Sequence, residues 1–142
     1  MSAPEWEVRL RLVSESRSVA ELTALVGMHP DRSSDRGTFR RGSSLARRFS
    51  SWEIESDLDA SRDVSQHVSR IVERLMGHTD ALRRAAALAD GLELSIVGRF
   101  DPRTDDRPGV NLTDGHVAFL GSVCASIDLE VIPAPTDRPP VI

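Results

Sequence analysis

Trp6, Val8, Leu10 and Leu12 alternate with Glu7, Arg9 and Arg11, a period of two that predicts a strand with one face buried. Ser18, followed three residues later by Glu21, has the form of a capping box. Val19, Leu22, Leu25 and Val26 then make one apolar helical face that Gly27 can terminate. From His29 to Ser51 the periodicity gives way to Pro, Gly, Ser, Asp and Arg, which predicts a long exposed loop with a brief helical turn near Leu45. Trp52 and Ile54 alternate with Glu53 and Glu55 in a second strand, closed by the polar run 56–61, where Asp57 and Asp59 favour a turn.

Val64, Val68, Ile71, Val72, Leu75 and Met76 follow helical spacing, with Gly77 as the stop. Thr79 can cap a further helix in which Leu82, Ala85, Ala86, Leu88 and Ala89 face inward and Gly91 ends the run; the short joint makes the two a helical hairpin. Leu92, Leu94, Ile96 and Phe100 alternate with Glu93, Ser95 and Arg99 as a third strand, Val97 being the one apolar residue facing out. A polar loop over 101–109 leads to a helix capped by Thr113, carrying Val117, Phe119 and Leu120 and ended by Gly121. Ile127, Leu129 and Val131 then alternate with Asp128 and Glu130 in a fourth strand.

The order is βαβ, a helical hairpin, then βαβ. It predicts an α+β two-layer sandwich: a four-stranded sheet with helices on one face, the third strand antiparallel to the second, in a ferredoxin-like split arrangement. Each strand has one apolar and one polar face, so the uncovered face is charged, with Glu7, Glu53, Glu55, Glu93, Asp128 and Glu130 set against Arg9, Arg11 and Arg99. Trp6 and Trp52 share the buried phase, and a contact between their rings across the sheet is expected. Residues 1–132 are read as one domain and 133–142 as a proline-rich tail that does not extend the sheet.

Composition narrows this picture. A chain of 142 residues buries roughly 68–70% of its unfolded surface, and its 39% hydrophobic and 28% charged residues are those of a globular protein. Cys124 is the only cysteine, which excludes an internal disulfide and the thiol pairs of a structural zinc site, and its apolar neighbours predict a packed thiol. No apolar run reaches the 18 or so residues of a membrane span, and the first residues lack a basic region before an apolar stretch, so a cytoplasmic protein with no membrane association is expected. All 18 basic residues are arginine, and the formal net charge of −4 argues against a general nucleic-acid binder.

The chain resembles the small bacterial proteins of the domain of unknown function family 4279. The likeness rests on the alternating first strand, on Leu25, Val26 and Gly27 before Pro30, on Gly37, and on the segment Trp52, Glu53, Ile54, Glu55 and Ser56. Gly109, Val110, Asn111 and Leu112, the helix running into Leu120 and Gly121, and the strand Ile127 to Glu130 complete it. Val26 stands where the family usually has leucine, and His29 with Pro30 replaces a longer apolar-proline-threonine pattern. Tryptophan, glycine and leucine at such places serve packing and turns, so the resemblance implies a fold and carries over no catalytic residue.

The distinctive chemistry lies in the long loop. Arg32, Arg36, Arg40, Arg41, Arg47 and Arg48 stand against only Asp31 and Asp35, with Phe39, Phe49, Ser33, Ser34, Ser43 and Ser44 among them. Guanidinium groups hold phosphate or carboxylate bidentately, although a solvated loop, or one neutralising the acidic sheet face, accounts for the same residues. The four histidines lack the spacing of a helical metal site; His67 and His78 are expected at helix ends or surfaces, and His29 near Asp31 and His116 near Asp114 are the only pairings with acid–base character. The expectation is therefore a non-enzymatic protein-interaction module of immunity or accessory type, without metal or cofactor. It presents Glu53, Glu55 and the arginine loop to another protein or a second copy. Anion or nucleic-acid binding through residues 32–48 is the alternative, and a small enzyme using His29 or His116 a third.

Overall fold

The computed structural model describes residues 4–103 and 109–134. Nine elements follow in chain order: β1 (Glu5–Ser14), α1 (Val19–Val26), β2 (Arg32–Ser34), β3 (Ser50–Glu55), α2 (Val64–Arg74), α3 (Thr79–Leu88), β4 (Gly91–Phe100), α4 (Asp114–Ser122) and β5 (Ser126–Pro133). The α+β class is as expected, but the sheet has five strands, ordered β2-β3-β1-β4-β5. The unforeseen strand, β2, is three residues long, too short for alternation to betray it.

The ferredoxin-like split arrangement is not the one found. It requires the strands flanking α1 to run parallel with another between them, whereas β1 and β3 are direct antiparallel neighbours, Leu12 opposite Trp52 and Ser14 opposite Ser50. The segment 27–49 carries the chain back to the end where β1 stopped, so β3 starts there and runs in reverse. Nor is the third predicted strand antiparallel to the second. Both β3 and β4 are antiparallel to β1, which lies between them. The Trp6 N–H donates to the Ala60 carbonyl at one end of the sheet and the Asp90 N–H to the Val13 carbonyl at the other, so α2 and α3 together carry the chain from end to end. Only the last βαβ unit closes as neighbouring parallel strands, Leu94 beside Ile127 and Ile96 beside Leu129.

One sheet face is buried. Trp6, Val8, Leu10 and Leu12 of β1, Trp52 and Ile54 of β3, and Leu92, Leu94 and Ile96 of β4 pack against Leu22, Val26, Val68, Ile71, Leu82 and Leu120 from the four helices. Each such side chain contributes about 1.5–3 kcal/mol by leaving water. The helix starts are as local chemistry dictates: the Ser18 hydroxyl accepts from the Glu21 N–H at 3.2 Å, and Asp63 with Gln66 and Thr113 with His116 form reciprocal capping boxes. Thr79 is not a cap; His78 occupies that position, and its side chain meets the Val26 carbonyl at 3.3 Å instead of capping the helix.

Three packing expectations change. Trp6 lies over Gly98, whereas Trp52 pairs with Leu12, so the rings sit at opposite ends of β1, about 20 Å apart at strand rise. Cys124 is exposed, its φ of 59° marking the left-handed turn between α4 and β5, and Val123 fills the core instead. On β5 the apolar row is uncovered: Ile127 and Leu129 are 48% exposed and Val131 39%. The expected tail begins inside the sheet: Pro133 belongs to this strand and the Ala134 N–H donates to the Phe100 carbonyl, while 135–142 lies outside the described residues. Among the described residues no helix is long and apolar enough to cross a membrane.

Candidate anion-binding cleft

The segment between β2 and β3 is built rather than irregular, and no helical turn forms at Leu45. Residues 37–47 make a small hairpin: the Gly37 N–H donates to the Arg47 carbonyl, the Arg47 N–H to the Thr38 carbonyl, and Phe39 bridges to Ala46. Its tip is the tight turn closed by the Ser43 N–H on the Arg40 carbonyl at 2.9 Å. Gly42 supplies the φ of 77° that this turn demands.

Side chains distant in sequence pin the hairpin to the rest of the molecule. Asp35 accepts from the Val19 N–H at the start of α1, 2.8 Å. The Arg36 N–H donates to the Ser50 hydroxyl, and its guanidinium to the Glu15 carbonyl. Arg48 Nε lies 2.6 Å from the Glu15 carboxylate, and the Arg48 guanidinium stands 5.5 Å above the Phe49 ring. At the other end of the segment Asp31 is clamped by both nitrogens of Arg74 and by the Glu55 N–H. The Arg74 hydrogen bonds are the main reason its carboxyl is held below the usual carboxylate range, against the cost of burial.

Held this way, the hairpin roofs part of the open sheet face and encloses a cleft of about 370 Å³. Arg11, Val13, Ser34 and Ser51 come from the sheet, and Arg40, Arg47 and Arg48 from the roof, with Leu45 and Phe49 as apolar wall. Among the described residues, no acidic side chain and no histidine lines it. Arg11 is balanced by Glu53 at 2.8 Å and Glu93 at 3.7 Å, and Arg48 by Glu15. Arg47 donates to the Thr38 hydroxyl and the Phe39 carbonyl, both at 3.0 Å; among the described residues neither Arg47 nor Arg40 has a carboxylate partner. Ser51 is only 8% exposed and its hydroxyl has no hydrogen-bond partner among the described residues, a placement that costs about 1–3 kcal/mol unless something fills the role. Two uncompensated guanidiniums around a buried hydroxyl favour an anion with acceptor oxygens.

The residues singled out in sequence divide accordingly. Arg40, Arg47 and Arg48 line the cleft. Arg41 is exposed at the hairpin tip, Arg36 is tied to the β1–α1 turn, and Arg32 pairs with Glu55 at 2.7 Å. Glu53 and Glu55 are engaged by Arg11, Arg9 and Arg32. Ser34 stands among the loop serines and Arg11 among the open-face charges of the sequence reading, whereas Ser51 is not legible there as a site residue, although it shares the open-face phase of Glu53.

The histidines hold the fold. His29 is exposed beyond α1. His67 and His116 are buried rather than at the surface. His116 Nδ1 accepts from the Thr113 N–H and its Nε2 meets the Ser69 hydroxyl at 2.8 Å, so both ring nitrogens serve α4. His67 Nδ1 is bonded to the Ser56 hydroxyl, which itself accepts from the Leu58 N–H. Burial pushes His67 below its ordinary pKa, opposed by the Arg62 backbone and by Asp63 and Asp59. Among the described residues no three His, Cys, Asp or Glu side chains converge as a metal site needs.

A family model described as domain of unknown function (DUF4279) matches residues 4–133. The chain belongs to the DUF4279 family. No curated protein and no solved structure is significantly similar to it. The matched span of this DUF4279 domain takes in the arginine hairpin, the sheet beneath it and all five strands.

Proposed function

We propose that this DUF4279 protein is a non-enzymatic interaction module whose arginine-lined cleft receives an acidic group, an Asp or Glu side chain or a terminal carboxylate, presented by a protein partner. The observation that carries this reading is the convergence of Arg40, Arg47 and the unpartnered, buried Ser51 hydroxyl on one cleft free of acidic side chains. Binding is the chemistry such a lining supports: guanidinium and serine hydroxyl groups orient an anion, and among the described residues the lining holds no histidine, carboxylate, lysine or cysteine to serve as general base.

A protein carboxylate fits better than a nucleic acid. The cleft is compact, and the sheet-face arginines beside it, Arg9, Arg11, Arg32 and Arg99, are already paired with Glu7, Glu53, Glu55 and Glu93, so that face offers a continuing phosphate chain no net positive charge. Isothermal titration with a blocked acidic peptide, inorganic phosphate and single-stranded DNA separates the possibilities. The reading expects the peptide to bind and the double variant Arg40→Gln/Arg47→Gln to lose about tenfold or more, since a charged hydrogen bond is worth about 1.5–3 kcal/mol. DNA binding with a steep salt dependence, or peptide binding indifferent to both substitutions, would overturn it.

A further inference from the structure

On the open sheet face, charges of opposite sign stand opposite each other toward β2, β3 and β1, and the pattern lapses toward β5. In one row the residues directly opposite each other are Arg32 on β2, Glu53 on β3, Arg11 on β1 and Glu93 on β4, base alternating with acid. In the next, Glu55 faces Arg9 at 3.3 Å, then come Ser95 and, on β5, Asp128. In the third, Glu7 leads through Val97 to Glu130. The first row ends on Ser126 of β5, and the second and third end on two β5 carboxylates that, among the described residues, have no cationic partner. On the other side of β5, Ile127, Leu129 and Val131 share the face of Leu94, Ile96 and Gly98 but stay 39–48% exposed. β5 is also an edge strand, and among the described residues its outer row of backbone groups faces no neighbouring strand. Edges left long, apolar on one face and unpaired invite another strand.

We propose that β5 is a strand-addition site for an extended segment of a partner protein in which apolar residues alternate with arginine or lysine. Apolar side chains of that segment cover Ile127, Leu129 and Val131 on the helix side, while its cations continue the rows beyond Asp128 and Glu130, as Arg11 does between Glu53 and Glu93. A second copy of this chain is a poor occupant. Antiparallel self-pairing that keeps the apolar rows on one face, centred on Asp128, Leu129 or Glu130, sets carboxylate opposite carboxylate, which opposes pairing. The site is independent of the cleft, which selects the opposite charge.

The test uses the full chain, nitrogen-15 labelled, titrated with a blocked eight-residue peptide alternating valine with arginine and with its glutamate counterpart. The arginine peptide is expected to bind, to shift amides of 126–133, and to bind about tenfold more weakly to Asp128→Arg/Glu130→Arg, which should take up the glutamate peptide instead. Leu129→Ser should weaken both partners without changing which charge is preferred. Equal shifts of residues 126–133 by both peptides, shifts by the arginine peptide confined to the cleft, no binding of the arginine peptide, or its binding only after removal of residues 135–142 would overturn the proposal. So would a concentration-dependent dimer whose interface maps to β5.

Discussion

Gly98 is the position where the backbone leaves least room. Trp6 lies directly opposite it, and a Cβ built on Gly98 would stand 2.4 Å from Trp6 Cζ3, with two further ring atoms within 2.9 Å. The φ of Gly98 is not in the left-handed region, so the demand is for space and not for conformation. An indole 5% exposed against the strand and covered by the helices has little freedom to retreat. Gly98→Ala is therefore expected to destabilise by about 1–3 kcal/mol, the usual cost of overpacking, even though alanine in a strand interior ordinarily gains roughly 0.5–1 kcal/mol over glycine. Trp6→Ala costs about 3–5 kcal/mol alone, and with the ring gone Gly98→Ala should become neutral or favourable. Urea unfolding of the four proteins closes the cycle, with an expected coupling of about 1–3 kcal/mol. Additive effects within about 0.5 kcal/mol would refute the steric account.

Further expectations concern titration, capping and the loop anchor. Because burial lowers the folded pKa of His67 below its unfolded value of 6.5, its contribution is fully present above that pH. It is lost as pH falls, since the unfolded chain takes up a proton the native state resists, so urea midpoints should decline below about pH 6.5 and less steeply in His67→Gln. Asp31 acts in a separate window: its lowered pKa gives stability present above 3.8 and lost in stronger acid, a decline that Asp31→Asn should blunt. Thr113→Ala should cost about 1 kcal/mol in thermal or urea melts, and Thr113→Ser much less, through loss of the hydroxyl that accepts from the His116 N–H.

How much of this was legible beforehand follows from the range of each interaction. Alternation in β1, β3 and β4 announces the strands and their buried face, because that signal is local. It is silent on neighbours, and so the order and the central place of β1 were out of reach. Nor does alternation distinguish a covered row from an open one: Ile127, Leu129 and Val131 have the pattern of Leu92, Leu94 and Ile96, yet at the sheet edge they stay uncovered. The arginine count of the loop was plain, but its form depends on contacts such as Arg48 with Glu15, 33 residues apart, and Asp35 with the start of α1. Ser51 became a site residue only because the hairpin covers it. His67 and His116 face inward from α2 and α4; their spacing, His67 between Val64 and Ile71 and His116 four residues before Leu120, puts both on the apolar stripe, although an imidazole's polarity suggests the surface.

The cleft is tested most directly by a nitrogen-15 NMR titration of the protein with a blocked Asp-Glu dipeptide, following backbone amides and arginine Nε–H groups together. The account predicts shifts concentrated at Ser34, Ser51, Phe49, Arg40 and Arg47, lost in Arg40→Gln/Arg47→Gln while the remaining spectrum keeps its dispersion. Shifts scattered over exposed arginines such as Arg41, Arg83 and Arg84, or unchanged in the double variant, would contradict it.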